Sequence, residues 1–132
     1  MDHIFKTVVS IGGALASYLF GGWSDLLGIL LAFVAFDYIS GIIASATEGK
    51  LSSKIGFKAI PKKVMIFVIV AMGNLVDQAL GGDNHIFRDG VIFFYLANEL
   101  LSIIENAGRA GLPIPEQIKN AVDILKGKGE EK

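Results

Sequence analysis

Four stretches of the chain are nearly free of charge, and polar segments separate them. They are Ile4–Phe20, broken only by Lys6; Leu26–Ala46, with Asp37; Val64–Leu80, with Asp77; and Val91–Ile104, with Glu99. A bilayer core is about 30 Å thick, so a crossing helix needs about 20 mostly apolar residues. The second stretch meets that length, the third reaches its lower limit, and the first is marginal. The fourth becomes long enough when extended over Ile86–Asn106. A soluble bundle would need polar outer faces on these helices, and the stretches have almost none. The pattern predicts an all-α membrane protein of about four transmembrane helices, spanning about 4–22, 24–46, 62–80 and 87–107, within a polytopic domain over residues 1–110. Gly111-Leu-Pro-Ile-Pro115 ends the fourth helix. Residues 111–132 then form a short amphipathic cytoplasmic helix, with Ile118, Val122 and Leu125 on one side, and a flexible tail from Gly127.

Composition agrees. Of 132 residues, 52% are hydrophobic and 19% charged, against about 25% charged in soluble domains. Twelve Lys and Arg face 13 Asp and Glu, a net charge of −1, which argues against a nucleic-acid-binding module. There is no cysteine, so no disulfide framework or thiolate metal site. His3 and His85 both fall outside the spans, and no Gly pair has phosphate-loop spacing. No catalytic residue, cofactor or metal site is expected, and the chain does not read as an enzyme.

The loops set an orientation. Residues 47–63 carry Lys50, Lys54, Lys58, Lys62 and Lys63 against Glu48, whereas Gly81–Gly90 carries Arg88 against Asp83 and Asp89. Short Lys-rich loops stay in the cytoplasm. The expected topology is multi-pass in a bacterial inner membrane with both termini cytoplasmic. The start of the chain is barely basic and lacks a convincing cleavage site, which argues against a removed secretory signal. Four of the lysines recur every four residues. On a helix they form a basic stripe beside Leu51, Ile55 and Ala59, suited to the inner surface and to anionic lipid headgroups. Pro61 is placed at the start of the third span, where its missing N–H costs nothing, and Gly49 and Gly56 argue against one continuous helix there.

Two sets of residues stand out for chemistry. Thr7, Ser10, Ala14, Ser17 and Gly21 share one face of the first helix, a small-residue stripe for close packing, subunit contact or a pore lining. The second set is intramembrane and polar: Asp37, Ser40, Asn98, Glu99, Ser102, Glu105 and Asn106. A carboxylate at mid-bilayer costs about 2.5–3.5 kcal/mol on insertion scales, so it faces protein or water. Asp37 and Glu99 reach one depth, about 14 Å from the inner end at 1.5 Å per residue. If the two acids face each other, one should keep its proton. Asn98 and Ser102 are the expected donors. Asn74 and Asp77 add a polar pair near the outer end of the third span.

An ordered series of motifs carries a resemblance. It comprises Asp37-Tyr38-Ile39-Ser40-Gly41, Leu51-Ser52-Ser53-Lys54-Ile55-Gly56, Lys62-Lys63, the run Asn98–Asn106, and Gly111-Leu-Pro-Ile-Pro115. The series, over about Phe5 to Leu125, resembles the phage holin family that includes clostridial toxin-secretion holins. The resemblance implies a phage or prophage protein that forms homo-oligomers in the host inner membrane. Its lesions or pores would release or activate an endolysin, or export a toxin, during lysis, with no necessary direct contact to the endolysin. Ala59 departs from the pattern, where glycine is expected. The alternative is a small proton-coupled four-helix multidrug-type exporter using Glu99 or Asp37; such exporters carry their key Glu in the first span, which here has no acid.

Overall fold

The computed structural model describes residues 1–130, excluding the side chains of residue 55 and of residues 125–130. It is all-helical among the described residues: α1 Asp2–Phe20, α2 Asp25–Thr47, α3 Ser53–Leu80, α4 Ile86–Arg109 and α5 Glu116–Glu130. Three helices are long and apolar enough to cross a membrane: α1, α2 and the Gly56–Leu80 part of α3. α4 falls outside that set. At 24 residues it is long enough, about 36 Å, but Arg88, Asp89, Glu99, Glu105 and Arg109 lower its apolar content. By length and composition three helices qualify, and α4 is a charged helix in which Arg88 and Glu99 are buried while Glu105 and Arg109 are exposed.

α2 and α4 run parallel and pack along most of their length, with α3 antiparallel against α4. The apolar core is small. Leu27, Leu30 and Val34 of α2 meet Ile66 and Val70 of α3 and Ile92 of α4. Buried among them and beyond are Asp37, Ser45, Asn74, Asp77, Arg88, Glu99 and Asn106. The surface is the reverse: Phe36, Ile43, Phe57, Val64, Met65, Phe93, Phe94 and Leu100 are exposed. A water-soluble domain would bury the second set and expose the first. Lipid is the solvent that suits this arrangement, because polar groups in a membrane protein turn toward the bundle interior.

No residue of α1 is buried. It is held at its last turn, where Asn74 donates to the Tyr18 and Leu19 carbonyls at 3.1 and 2.9 Å. Arg88 donates to the Phe20 carbonyl at 2.9 Å, and Phe20 meets Phe67 edge-on at 6.4 Å. These side chains satisfy carbonyls that a helix end leaves without partners. Gly21 closes α1 in the left-handed region at φ 73°. A Cβ there would collide with the Asn74 amide oxygen, so the close approach requires glycine. Asp77 caps α4 from outside that helix, accepting from the Phe87 and Arg88 N–H groups at 2.9 Å each. Its negative charge also suits a helix N-terminus.

Three sequence expectations are corrected. Pro61 lies inside α3, not at its start. The helix begins at Ser53, runs through Gly56, and gives up only the bond from residue 61 to the Phe57 carbonyl. Lys54, Lys58, Lys62 and Lys63 are therefore helical. α5 continues past Gly127 to Glu130, since glycine costs a helix about 1 kcal/mol without ending it. The tail expectation for residues 131–132, and the placement of the Leu125 side chain, lie outside the described residues.

Gly73 sets how closely α4 can start against α3: a Cβ there would meet the Arg88 and Phe87 backbone at 3.0–3.1 Å. Gly73→Leu should lower the melting temperature of the detergent-solubilised protein, at an overpacking cost of about 1–3 kcal/mol. Gly12→Leu, with open space around it, should leave melting nearly unchanged.

Candidate functional site

Asp37 sits near the middle of α2, Glu99 near the middle of α4, and Lys63 on α3 between them. The Lys63 ammonium pairs with both acids: it donates to Asp37 Oδ2, and to Glu99 Oε1 and Oε2 at 3.1 and 2.9 Å. The Asp37 and Glu99 side chains are 8% and 5% exposed and Lys63 20%, so the ammonium is the group nearest solvent. Asp37 Oδ1 accepts from Ser102 Oγ at 2.6 Å and from Asn106 Nδ2 at 2.9 Å. Asn106 also reaches the Asp37 carbonyl and Ser40 Oγ, at 3.2 and 3.0 Å.

The network continues outward. Asn106 Oδ1 accepts from Arg109 at 3.2 Å, and Arg109 pairs with Glu48 at 2.7 Å. An unbroken polar chain thus runs from the middle of the bundle to the end of α2 and α4. At that end the Arg109 guanidinium, hydrogen-bonded to Glu48, holds the Glu48 carboxyl below its ordinary value. A depressed carboxyl stabilises the fold above its unfolded pKa, and that contribution is lost as pH falls through the folded value.

The structure brings together five of the seven intramembrane residues singled out from sequence: Asp37, Ser40, Glu99, Ser102 and Asn106. It does not bring in Asn98, which is exposed and makes no hydrogen bond to either acid. Glu105 is exposed too and acts on Arg109 electrostatically. Among the basic-loop residues, Lys50, Lys54, Lys58 and Lys62 are exposed, whereas Lys63 turns inward. The sequence reading therefore missed the countercharge. Two carboxylates at one depth called for a cation, and Lys63 is the charged residue that leads into the third apolar run. The stripe Thr7, Ser10, Ala14 and Ser17 is exposed, and only Gly21 at its end meets other helices. The described residues contain no group of His, Cys, Asp and Glu arranged to hold a metal ion.

A second polar centre lies at the opposite end, where Asp77, Asn74 and Arg88 join α1, α3 and α4. Asn74 Oδ1 and His85 Nδ1 are buried there without a hydrogen-bond partner. Asn74 and Asp77 were visible in the sequence as a polar pair; Arg88 was read only as a loop charge.

Residues 14–127 match the bacteriophage holin family, well over half the chain. The chain belongs to that family. This holin-family chain is 47% identical to an uncharacterized protein of Listeria monocytogenes, over 100% of this chain and 96% of the relative. It is 43% identical to an uncharacterized protein of Halalkalibacterium halodurans, over 96% and 97% of the two chains. It is 37% identical to an uncharacterized 14.9 kDa protein of Clostridium perfringens, over 97% and 96%. No solved structure matches. The family places the chain among holin-type membrane proteins.

Removing one partner of a buried ion pair strands the other charge, at a cost of about 3–5 kcal/mol. Lys63→Met strands two. It should lower the melting temperature of the solubilised protein more than Asp37→Asn or Glu99→Gln. Adding Glu99→Gln to Lys63→Met should recover part of the loss, because one of the two stranded charges is gone. Additive losses in the double variant would show that the three groups do not act as a unit.

Proposed function

We propose that this chain is a holin whose copies associate in a bacterial cytoplasmic membrane and open lesions that release an endolysin, or a toxin, from the cell. The observation that carries the reading is α1. It is apolar enough to cross a membrane, yet none of its residues is buried. Its large apolar stripe and its small-residue stripe are both bare. A single chain of four thin helices cannot enclose a protein-sized path, so release of an enzyme needs many copies. A helix held only at one end is the element free to make contacts between copies, with small residues allowing close approach.

In this reading α4 is the fourth span. It is long enough, and its inward acids and amides are satisfied by α2 and α3, so lipid meets Phe93, Phe94 and Leu100. The Lys-rich end faces the cytoplasm, with both termini and the residue 111–132 segment on that side. The exporter reading is weaker, because Lys63 already occupies the space between the two acids that an alternating cation site would need open.

Inducible expression in a bacterium tests the function. The expected result is abrupt loss of membrane potential, with lysis only when an endolysin is co-expressed. Ala14→Leu and Ser17→Leu should delay or abolish that event at normal membrane abundance, while Leu15→Ile should not. Unchanged timing in both bulky variants would remove the small-residue face from the assembly.

Topology has its own measurement. Ser24 caps α2 by accepting from the Leu27 N–H at 3.1 Å, so Asp83 is the better outer probe. A cysteine replacing Asp83 should label in intact cells with the outer envelope opened, and one replacing Ser52 only after the inner membrane is permeabilised. The reverse pattern would invert the orientation.

A further inference from the structure

α2 and α3 are adjacent in sequence but scarcely touch. Between them runs one groove. At its upper end is a cleft of about 390 Å³, whose lining includes Gly41, Ser45, Lys50, Lys62 and Arg109. Below it is an apolar trough of about 300 Å³ lined by Leu31, Val34, Ala35, Ile60, Val64 and Phe67. Tyr38 and Lys63 line both. The two cavities fall on one stripe of each helix: residues 31, 34, 38, 41 and 45 of α2 recur at spacings of 3 and 4, as do 56, 59 or 60, 63 and 67 of α3. The trough extends about 10 Å from Tyr38 to Leu31. Because Tyr38 lies at the depth of Asp37, about 14 Å from the Lys-rich end of the helix, the groove as a whole is about 24 Å long, the reach of one extended acyl chain and its glycerol.

The charges divide along the groove. In the upper cleft, Lys63 is committed to Asp37 and Glu99, and Arg109 to Glu48. Lys50 and Lys62 are exposed and form no ion pair among the described residues. The trough below carries no charge apart from Lys63, whose head turns to the two acids. Cationic heads above a long uncharged slot fit a single chemical object, an anionic head that carries an extended apolar chain.

We propose that the α2–α3 groove binds an anionic diacyl phospholipid, with its phosphate between Lys50 and Lys62 and one acyl chain lying past Tyr38 into the trough. Charge complementarity at the top and continuity with the lipid-facing surface favour this occupant over a second protein chain. The bound lipid would fill the gap that the thin α2–α3 contact leaves. The inference rests on the chain being membrane-embedded with its Lys-rich end at a lipid surface, and not on lesion formation.

The test is lipid binding by the purified full-length protein, read by native mass spectrometry in detergent with dioleoyl phosphatidylglycerol or dioleoyl phosphatidylcholine. The anionic lipid should be retained in preference. A lysine near a membrane surface contributes about 1 kcal/mol, or about fivefold. Lys50→Gln with Lys62→Gln should therefore weaken phosphatidylglycerol about thirtyfold and phosphatidylcholine hardly at all. Ala35→Phe, which fills the trough from a lipid-facing position, should weaken both lipids while leaving the melting temperature in lipid-free detergent unchanged. Equal retention of the two lipids by the wild type would overturn the proposal. So would displacement of phosphatidylglycerol by millimolar inorganic phosphate, since a free anion would then suffice, or unaltered binding in Ala35→Phe. A crosslink from position 35 to a second copy, in place of lipid, would assign the groove to self-association instead. None of these outcomes reads lysis, so failure here leaves the holin reading standing, and the reverse.

Discussion

One ammonium group ties the bundle together. α2 and α4 each bring a carboxylate from mid-helix into the bundle interior, where a lone acid is costly, and α3 supplies the cation between them. Without Lys63, the parallel packing of α2 on α4 would hold two negative charges side by side with only Ser102 and Asn106 to solvate them. With it, α3 is bound to α2 by an ion pair across a seam where the two helices otherwise scarcely touch. The cluster still holds two acids and one base, so its neutral donors are essential. Ser102 and Asn106 carry part of the remaining negative charge on Asp37, and Asn106 passes the connection to Arg109 and Glu48 at the end of the bundle.

That choice shapes the outer surface. A bundle that spends its interior on Asp37, Lys63, Glu99, Asn106, Asp77 and Arg88 has little room for an apolar core. Its large apolar side chains face outward instead. Lipid tolerates this, since lipid tails give little hydrophobic drive to bury such side chains between helices. The same economy leaves α1 attached by caps at one end, where Asn74 and Arg88 satisfy its last carbonyls, with the rest of its length free for other partners.

Much of this was legible in the sequence, and the exceptions have physical reasons. The four apolar runs gave helices whose ends fall within a few residues of expectation except at the start of α3, because charge clusters and Gly-Pro segments bound the others. The level placement of Asp37 and Glu99 followed from helical rise alone. Lys63 was hidden because it follows four regularly spaced lysines that do face outward, and a fifth cation in such a run reads as more of the same. Pro61 hid it further by suggesting that the helix began there. In fact α3 starts two turns earlier, which rotates Lys62 outward and Lys63 inward. Asn98 was misassigned for a related reason: it neighbours Glu99 in sequence, but adjacent helix positions point about 100° apart, and the partner helices lie on the Glu99 side only.

A polar interior also bears on how such a bundle could change state. A core of interlocked leucines resists opening because each exposed side chain loses its burial. Here the half of the α2–α4 seam from Asp37 to Glu48 is largely hydrogen bonds and one ion-pair cluster. Water can replace the bonds made by Ser40, Ser102 and Asn106 almost in kind, and a wet dielectric removes most of the cost of separating Asp37 and Glu99 from Lys63. The closed bundle is stable while lipid surrounds it and water is excluded. In the assembly proposed above, neighbouring copies would admit water to that seam, and the same residues would then form an acceptable lining. Stability in the dry state and compatibility with a wet one thus come from the same side chains, which a purely apolar core could not provide.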